Sequence, residues 1–440
     1  MSLSDHPRVY GTAALTMAFV AGIFVTLGFK DLYPELETRY ERQKKRSRRG
    51  SILFGPVNLE DHEGAFAANY DRGNGIVDGI EGTIGNTPLI KLRSLSEATG
   101  CTILAKAEFL NGAGGSPKDR VALNMIQVAE EQGLLSPGRG DTIYEGTVGS
   151  TGISLAVLAR ARGYKAHICM PDDMAIEKSD LLHHLGATVE RVPVAPITDP
   201  GHFVNLARTR AKEHTAASDT PSRGFFADQF ESLANYTAHM KTTGPEIHAQ
   251  TAGRLDAFVA GAGTGGTIAG VAKHLKEERG LGEEVRVVLA DPQGSGLYNK
   301  VRHGVMYSPT EREGTRRRTQ VDTMVEGIGI NRVTENFEAG RGLVDDAVKV
   351  TDEQACRMAR WLVEHDGVFV GSSSAVNCVA AVVTALKMPS DSRVVTILCD
   401  SGSRHLSKFW KHIAAMGLED ETREQDEDLL AVLGLQDLRR

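Results

Sequence analysis

Residues 256–277 read DAFVAGAGTGGTIAGVAKHLKE, and this stretch decides the fold class. A short apolar run predicts a buried strand, the glycines and threonines predict a loop, and the apolar periodicity that follows predicts a helix. Glycine lets the backbone approach an anion closely, and the free N–H groups at the start of a helix can bind one. The stretch therefore indicates a parallel α/β sheet with a phosphate-binding loop, 261–267, after one of its strands.

The same alternation of strand and helix continues along most of the chain from residue 75. Further strands are predicted at 102–109, 141–147, 165–171, 187–194, 285–291, 367–372 and 393–399. Further helices are predicted at 120–133, 153–163 and 175–186. Such alternation predicts two parallel sheets, each covered by helices on both faces, with ligands at the carboxyl ends of the strands.

A second glycine-rich stretch, GGSPKDR at 114–120, precedes one of the predicted helices. Proline is tolerated in a first helical turn, Ser116 can act as the N-cap, and Asp119 gives an aspartate variant of the capping box. Lys118 then lies in the first turn. Because that end of a helix is positive, the ammonium group of Lys118 is expected to lose its proton more easily than usual.

A third loop, EGTVGSTG at 145–152, also lies between a predicted strand and a helix. A lysine at a helix start, a phosphate-binding loop and a second loop rich in glycine and hydroxyl groups together indicate pyridoxal 5'-phosphate. The lysine would bind this cofactor as a Schiff base, and the 261–267 loop would hold its phosphate.

A dinucleotide enzyme is the competing interpretation. Gly261, Gly263 and Gly266 satisfy the pattern GxGxxG, and Asp291 ends the next predicted strand, where a ribose-binding carboxylate would lie. This motif alone is weak evidence, and it leaves Lys118 and the 145–152 loop without a role.

Composition restricts the class of protein. The chain has 440 residues and a formal net charge of -7, which argues against general nucleic-acid binding. Its five cysteines are scattered without CxxC or CxxH spacing, which favours a reducing compartment, free thiols and no structural metal.

The two ends of the chain differ from its centre. Residues 10–29 carry no charge and as a helix would span about 30 Å, one hydrocarbon core, so they predict a transmembrane anchor. A basic run follows at 39–49, and by the positive-inside rule the bulk of the protein is cytosolic. Residues 30–75 are predicted as a linker, and 419–440 as a solvated acidic tail. The mitochondrial outer membrane is favoured, and the endoplasmic reticulum fits the same pattern.

Several motifs together resemble the cysteine synthases (O-acetylserine sulfhydrylases). In chain order they are IGNTPLIKL (84–92), GGSPKDR, EGTVGSTG, YTAHMKTTGPEI (236–247), GAGTGGT, VEGIG (325–329) and GSSSA (371–375). DQFE (228–231), VVLADPQGS (287–295) and LCDSGSRHLSKFW (398–410) lean towards the core of the cystathionine β-synthases. The chain thus looks like a fungal-type, membrane-anchored member of this cysteine synthase-like family.

The resemblance implies the tryptophan synthase β-like fold, fold type II of the enzymes that use pyridoxal 5'-phosphate. Its catalytic domain would cover 76–410, with a smaller subdomain at 112–228 inserted in the larger one. A terminal helix and the acidic tail would follow at 411–440. The resemblance also implies a homodimer, an amino-acid substrate such as O-acetylserine or serine, and sulfide or a thiol as the second substrate.

Site residues follow from the same resemblance. Lys118 would carry the cofactor and remove the α-proton of the substrate, and Ser373 would hydrogen-bond the pyridine nitrogen. The cofactor phosphate would be held by Gly263, Thr264, Gly265, Gly266 and Thr267. The α-carboxylate of the substrate would be bound by Thr147, Gly149, Thr151 and Gln229, although the sequence fits Gln229 equally well as a capping or buried amide. A neutral hydroxyl at the ring nitrogen favours β-elimination and β-replacement over transamination.

The chain departs from the family pattern in the 145–152 loop. The usual motif is TSGNTG, and here Val148 replaces a hydroxyl and Ser150 replaces the asparagine that contacts the cofactor and substrate. Three hypotheses therefore stay open. They are cysteine synthesis from O-acetylserine and sulfide, another β-replacement or β-elimination such as cystathionine synthesis or cysteine desulfhydration, and a catalytically weak membrane-tethered homologue.

Overall fold

Two parallel sheets organise the chain, as the alternation of strands and helices predicts. We describe them from a computed structural model that covers residues 76–174, 176–217, 221–308, 311–312, 323–419 and 428–438. These residues belong to one unit, Arg72–Arg440. The predicted anchor (10–29) and linker (30–75) lie outside them. Among the residues covered, no helix combines the length and apolar character needed to cross a membrane.

The larger sheet has six strands in the order β1-β2-β12-β7-β8-β11, and the smaller has four in the order β5-β4-β3-β6. Every neighbouring pair in these two sheets is parallel except β1 with β2. The strands are β1 (Leu89–Lys91), β2 (Thr102–Ala107), β3 (Thr142–Gly146), β4 (Lys165–Pro171), β5 (Thr188–Val192), β6 (Gly224–Phe226), β7 (Ala257–Gly261), β8 (Arg286–Pro292), β9 (Tyr307–Ser308), β10 (Glu311–Arg312), β11 (Asp346–Val350) and β12 (Arg393–Leu398). Strands β9 and β10 form a separate antiparallel pair.

Helices cover the faces of both sheets. They are α1 (Arg93–Thr99), α2 (Lys118–Glu131), α3 (Ser150–Ala161), α4 (Ile176–His184), α5 (Phe203–Ala216), α6 (Ala234–Lys241), α7 (Thr243–Gln250), α8 (Gly266–Ala272), α9 (Leu297–His303), α10 (Glu335–Arg341), α11 (Asp352–Asp366), α12 (Ser372–Ala385), α13 (Lys411–Ala415) and α14 (Leu429–Val432). Short 3-10 turns lie at Ile80–Thr83, Glu108–Leu110, Gly402–Arg404 and Gln436–Leu438, and π turns at Lys273–Glu278 and Leu406–Trp410.

Each sheet has its own apolar core. One face of the larger sheet packs on α11 and α12, and every residue of α12 is buried. Its other face packs on α8 and on the side chains around Phe337. The smaller sheet packs on α2 and α3 through residues such as Val121 and Leu155. The carboxyl ends of β3 and β7 therefore carry their glycine-rich loops at the edges of two separate sheets.

Two sequence predictions about the C-terminal part are wrong. Residues 367–372 do not form a strand: Gly367 ends α11 with a left-handed φ of 65°, α12 begins at Ser372, and only Val370 pairs, in one bridge to Ser401. The predicted solvated tail contains the apolar run 429–435. Leu430 in that run is fully buried in the core beside α11, so this part is packed rather than solvated.

A buried ion cluster ties α2 to the larger sheet. Arg120 on α2 donates through Nε to Glu108 Oε2 at 2.7 Å, just after β2, and through Nη2 to Glu246 Oε2 at 2.8 Å, on α7. Lys106 on β2 contacts Glu246 Oε2 at 2.6 Å. Burial by itself would raise the pKa of Glu108, but the Arg120 guanidinium outweighs it and holds that pKa at about 2. The two partners of Arg120, Glu108 and Glu246, lie 12 and 126 residues away along the chain.

Arg120→Met removes the cation that Glu108 and Glu246 share. Removing one partner from a buried pair leaves uncompensated charge, so we expect the free energy of unfolding at neutral pH to fall by about 3–5 kcal/mol, measured by urea titration. The matched control is Arg357→Met, which breaks an exposed pair with Glu353 on α11 and should cost about 1 kcal/mol or less. Equal costs for the two variants would contradict a structural role for the cluster.

Candidate active site

Lys118 is the first residue of α2, and most of its surface is buried. Burial lowers the pKa of its ammonium group, and the nearby Cys399 and Asp400 act in the opposite direction. The sequence prediction of a lowered pKa is confirmed in direction. The largest cause of the lowered pKa is desolvation. An amine with a lowered pKa is more often neutral, and only the neutral amine is a nucleophile.

The loop before Lys118 is held by a carboxylate, but not by the predicted capping box. Asp119 accepts hydrogen bonds from the backbone N–H groups of Gly114 and Gly115, at 2.7 and 2.9 Å, and from the Ser154 hydroxyl at 2.6 Å. Ser116 Oγ accepts from the N–H of Lys118 at 3.2 Å. A Cβ at Gly114 would lie 2.6 Å from the Asp119 carboxylate, so this position needs glycine. Asp119 thus fixes the entry to α2 and connects it to α3.

The loop between β3 and α3 brings together part of the predicted carboxylate site. Ser150 is the first residue of α3, and Gly149 precedes it. Thr147 Oγ1 accepts from the N–H of Gly149 at 3.4 Å, and the Thr151 hydroxyl donates to Gln229 Oε1 at 2.6 Å. Thr151 and Gln229 lie 78 residues apart in the chain, and the structure places them in direct contact.

The loop between β7 and α8 contains the predicted phosphate-binding residues Gly263, Thr264, Gly265, Gly266 and Thr267. Gly265 has a φ of 82°, the left-handed region, and a Cβ there would lie 2.5 Å from a side-chain atom of Phe337. A Cβ at Gly263 would lie 2.3 Å from the carbonyl oxygen of Gly327. The glycines are therefore required by the close approach of the protein's own residues.

Both threonine hydroxyls of this loop already have protein partners. Thr264 Oγ1 accepts from Asn235 Nδ2 at 2.9 Å, and Thr267 Oγ1 lies 3.2 Å from His239 Nε2. Burial lowers the pKa of His239 to about 3, so this imidazole is neutral. Because Thr264 Oγ1 is the acceptor towards Asn235, its hydroxyl proton remains available to donate to a phosphate, together with backbone N–H groups of the loop.

Ser373 lies in the first turn of α12 and contacts a cysteine that the sequence did not single out. Its buried hydroxyl is within hydrogen-bonding distance of the Cys399 thiol. Cys399 accepts from Asn377 Nδ2 at 3.6 Å and donates its backbone N–H to Ser374 Oγ at 2.8 Å. Burial raises the pKa of Cys399 to about 12, so it stays a neutral thiol. Lys118 also interacts electrostatically with Cys399, so Ser373 and Lys118 are both neighbours of one thiol.

Asn235 is a second residue that the sequence analysis missed. Its Nδ2 donates to the carbonyl oxygen of Gln229 at 2.7 Å and to Thr264 Oγ1 at 2.9 Å, so it joins the carboxylate site to the phosphate loop. Asn235 is fully buried, and its Oδ1 has no partner among the described residues. It directly precedes the 236–247 motif, which was the available signal.

The ribose-binding role considered for Asp291 does not fit its surroundings. Asp291 lies in β8 and is fully buried. Its Oδ2 accepts from the backbone N–H of Tyr298 at 2.7 Å, at the start of α9. This carboxylate therefore anchors a helix, and the GxGxxG pattern lacks the acidic partner of a dinucleotide site.

One group of side chains has the composition of a metal site. His167, Cys169 and Glu190 bring their possible ligand atoms within 4.8 Å of one another on β4 and β5. Glu190 already accepts from Arg210 on α5 at 2.9 Å, and burial raises the pKa of the Cys169 thiol to about 12. We assign these groups to the packing of α5 on the smaller sheet.

Pyridoxal 5'-phosphate fits the residues that the structure brings together. A Cβ at Gly149, or at Gly327 with its φ of 85°, would meet no atom within 4 Å, so these glycines border open space. Near them are an amine with a lowered pKa, a glycine-rich loop at the start of α8 and a neutral serine hydroxyl. A phosphorylated pyridine aldehyde needs these three kinds of group.

Comparisons with known proteins agree with this fit. The model of the family described as pyridoxal-phosphate dependent enzymes matches residues 80–400. A "Cysteine synthase 2" from Neurospora crassa is 74% identical and covers 100% of both chains. A relative from Saccharomyces cerevisiae with "mitochondrial cysteine synthase" in its name is 55% identical, covering 80% of this chain and 86% of its own.

A solved structure shows the same fold. The crystal structure of an O-ureido-L-serine synthase aligns with a TM-score of 0.65 at 32% identity, over 81% of this chain and 99% of that one. By sequence and by fold, this chain belongs to the pyridoxal-phosphate-dependent enzymes of fold type II, in the cysteine synthase family.

Proposed function

We propose that the enzyme makes L-cysteine from O-acetyl-L-serine and sulfide by β-replacement. The observation that carries this proposal is the neutral pair of Ser373 and Cys399 beside Lys118. When bound, the cofactor supplies an electron sink for the α-carbon of an amino acid. A hydroxyl and a thiol at this place, unlike a carboxylate, do not hold a proton on the ring nitrogen, which favours loss of a β-leaving group. The names of the fungal relatives support the same reaction.

Each predicted residue then has a role in this proposal. Lys118 carries the cofactor and moves the α-proton of the substrate. The backbone of the β7–α8 loop, at Gly263, Thr264, Gly265, Gly266 and Thr267, holds the phosphate, and Ser373 meets the pyridine nitrogen. Ser150, the first residue of α3, binds the cofactor. The α-carboxylate is bound by Thr147, Gly149, Thr151 and Gln229.

Lys118→Ala tests the central assignment. The purified variant should lack the visible absorbance of the bound cofactor, because the amine that binds it is gone, and its activity with O-acetylserine and sulfide should fall by at least about 10²–10⁴-fold. Circular dichroism checks that the variant is folded. A folded Lys118→Ala variant that keeps the yellow absorbance would refute the assignment, and Lys276→Ala, at an ion pair with Asp345, is the matched control.

The alternative function is a β-replacement with other substrates, and the sequence of the β3–α3 loop motivates it. Val148 offers no hydrogen bond where the family has a hydroxyl, and the solved relative of this fold is named for O-ureido-L-serine. The same site could thus serve another nucleophile or serine itself as substrate. The proposal of cysteine synthesis requires that the remaining loop groups bind the carboxylate of O-acetylserine well enough without that hydroxyl.

Val148→Thr restores the hydroxyl at nearly constant shape. If the loop binds the carboxylate of O-acetylserine, one added hydrogen bond to a charged group is worth about 1.5–3 kcal/mol, so kcat/KM should rise by about tenfold or more. Val148→Ala, which removes methyl groups without adding a hydroxyl, should not show this rise. Steady-state rates with O-acetylserine and sulfide, and with serine and homocysteine, make the measurement. A rise confined to the second pair would favour cystathionine synthesis.

We propose further that 10–29 anchors the protein in a membrane, with the linker at 30–75 and the catalytic domain, 76–410, on the cytosolic side. The sequence supports this through the uncharged run and the basic residues after it, and the name of the yeast relative favours mitochondria. The mitochondrial outer membrane is our preferred location, and by family resemblance the enzyme is a homodimer.

The anchor is tested on the full-length chain in isolated mitochondria. After alkaline carbonate extraction it should stay in the membrane pellet, and external protease should remove the catalytic domain while the outer membrane is intact. A variant with three apolar residues of 10–29 changed to lysine should appear in the carbonate supernatant. A wild-type chain found in the supernatant, or protected from external protease, would contradict the proposed topology.

A further inference from the structure

Glu145 has a buried carboxyl group and lies near the end of β3, just before the β3–α3 loop. It is the fourth residue of β3 and is fully buried, and it forms no ion pair with any described residue. Its Oε1 accepts from the backbone N–H of Gly146 at 3.1 Å, and its Oε2 accepts from the backbone N–H of Gln229 at 3.2 Å. The side chain of Gln229 is also within hydrogen-bonding distance. A carboxyl group in such a place needs an explanation, because burying an unpaired charge is costly.

Its protonation follows from this environment. Burial raises the pKa of Glu145 to about 8, the N–H of Gln229 acts against this, and the negative charge of Asp228 adds to it. At neutral pH the group is therefore mostly a neutral acid, with one O–H that must donate to an acceptor. The Gln229 side chain is the neighbour that can accept it.

Gln229 links Glu145 to Thr151, which is one of the proposed carboxylate-binding residues of the loop. Its Oε1 lies 2.6 Å from Thr151 Oγ1, so the three side chains form one hydrogen-bonded row from Glu145 through Gln229 to Thr151. In the arrangement of the structure, the hydroxyl of Thr151 donates to Gln229. Rotation of the amide group by 180° exchanges its oxygen and nitrogen at the same shape and reverses both hydrogen bonds.

We propose that Glu145 is a positioning residue whose proton sets the direction of the hydrogen bonds through Gln229 to Thr151, and thereby the affinity of the loop for an α-carboxylate. The inference rests on the proposed function of Thr151 and Gln229 and deepens it. The only chemical change is the exchange of one proton between Glu145 and solvent, and the presence or absence of that proton selects between two orientations of the Gln229 amide.

The two states differ in what Thr151 offers. With Glu145 neutral, its O–H donates to the amide oxygen, the amide N–H donates to Thr151 Oγ1, and the hydroxyl proton of Thr151 is free for a carboxylate. With Glu145 ionised, the amide N–H donates to Glu145, and Thr151 donates to the amide oxygen. A carboxylate then meets lone pairs of Thr151 and the negative charge of Glu145. Affinity is therefore complete at pH values below about 8 and falls as the pH rises through it.

The other titratable groups around Glu145 would not produce the same pH dependence of carboxylate affinity. Asp228, after β6, is paired at 3.2 Å with Arg208 of α5. Cys169 on β4 has a pKa raised to about 12 by burial and stays neutral in this range. α3 contributes Thr151 itself. Asp228 remains useful as a probe, because its charge is one cause of the raised pKa of Glu145.

The test uses the holoenzyme and L-alanine, which has an α-carboxylate but no β-leaving group. Its Kd is measured from the change in visible absorbance between about pH 6 and 9.5, for wild type and Glu145→Gln, a variant that cannot ionise. Titration of the ligand amine is common to both, so the ratio of the two Kd values isolates Glu145. We expect a constant ratio below about pH 7 and a wild-type Kd that then rises relative to the variant by up to about tenfold per pH unit.

Two further measurements make the outcome decisive. Asp228→Asn should move the wild-type inflection to lower pH. In the holoenzyme, the difference in the free energy of unfolding between wild type and Glu145→Gln should fall between about pH 4.5 and 8, because only the folded wild type keeps the Glu145 proton in this range while the other titrating groups are common to both proteins. Parallel Kd profiles for wild type and Glu145→Gln, or an inflection that Asp228→Asn leaves in place, would overturn the inference.

A failure of the proposed function has a different signature. If Gln229→Ala and Thr151→Val bind L-alanine as tightly as wild type at every pH, these residues do not bind the carboxylate, and the row from Glu145 has no substrate to act on. If both variants bind weakly while the Kd ratio of wild type and Glu145→Gln stays flat, the carboxylate site stands and the role of Glu145 is refuted.

Discussion

The buried contact of Arg120 with Glu108 and Glu246 is the constraint on which the placement of Lys118 depends. Arg120 is two residues beyond Lys118 on α2, whose apolar side chains belong to the core of the smaller sheet. Glu108 and Glu246 belong to the larger sheet and its helices. A buried guanidinium has few alternative partners, since any displacement would leave Arg120 and Glu108 without their ion pair. The first turn of α2 is therefore fixed relative to β12, whose following residues, Cys399 and Asp400, face Lys118.

Most polar side chains of the site are already satisfied by the protein. Asn235 donates to both Gln229 and Thr264, Thr267 meets His239, and Thr151 meets Gln229. Backbone N–H groups are the most numerous donors that the two glycine loops offer to an anion. Their directions are set by the backbone and not by rotamers, so little conformational freedom is lost when an anion binds.

The sequence was sufficient to predict elements whose signals are local. The alternation of apolar runs and helices gave two parallel sheets, and glycine next to threonine marked the loops after β3 and β7. It failed where the decisive contacts are distant. The partner of Arg120 at Glu246 is 126 residues away, and Cys399 reaches Ser373 only because β12 lies beside α12. The apolar run at 367–372 predicts a strand that does not form. Gly367 ends α11 and α12 begins at Ser372, so too few residues lie between the two helices to pair with the sheet. The sequence predicts Glu145 as an ordinary strand residue, and only the structure shows that no cation among the described residues forms an ion pair with it.

The altered loop and the buried acid are physically connected. With valine at position 148, the loop has lost one hydroxyl that a carboxylate could use, so the Thr151 hydroxyl supplies a larger share of the remaining side-chain donors. The direction of its proton then matters more than it would beside a second hydroxyl. Glu145 controls that direction through the amide of Gln229. Ionisation of Glu145 therefore changes the affinity of the loop for the substrate carboxylate. By the same reasoning, restoring a hydroxyl in Val148→Thr should weaken the pH dependence that Glu145 imposes, because a donor outside the row would hold the carboxylate in both states.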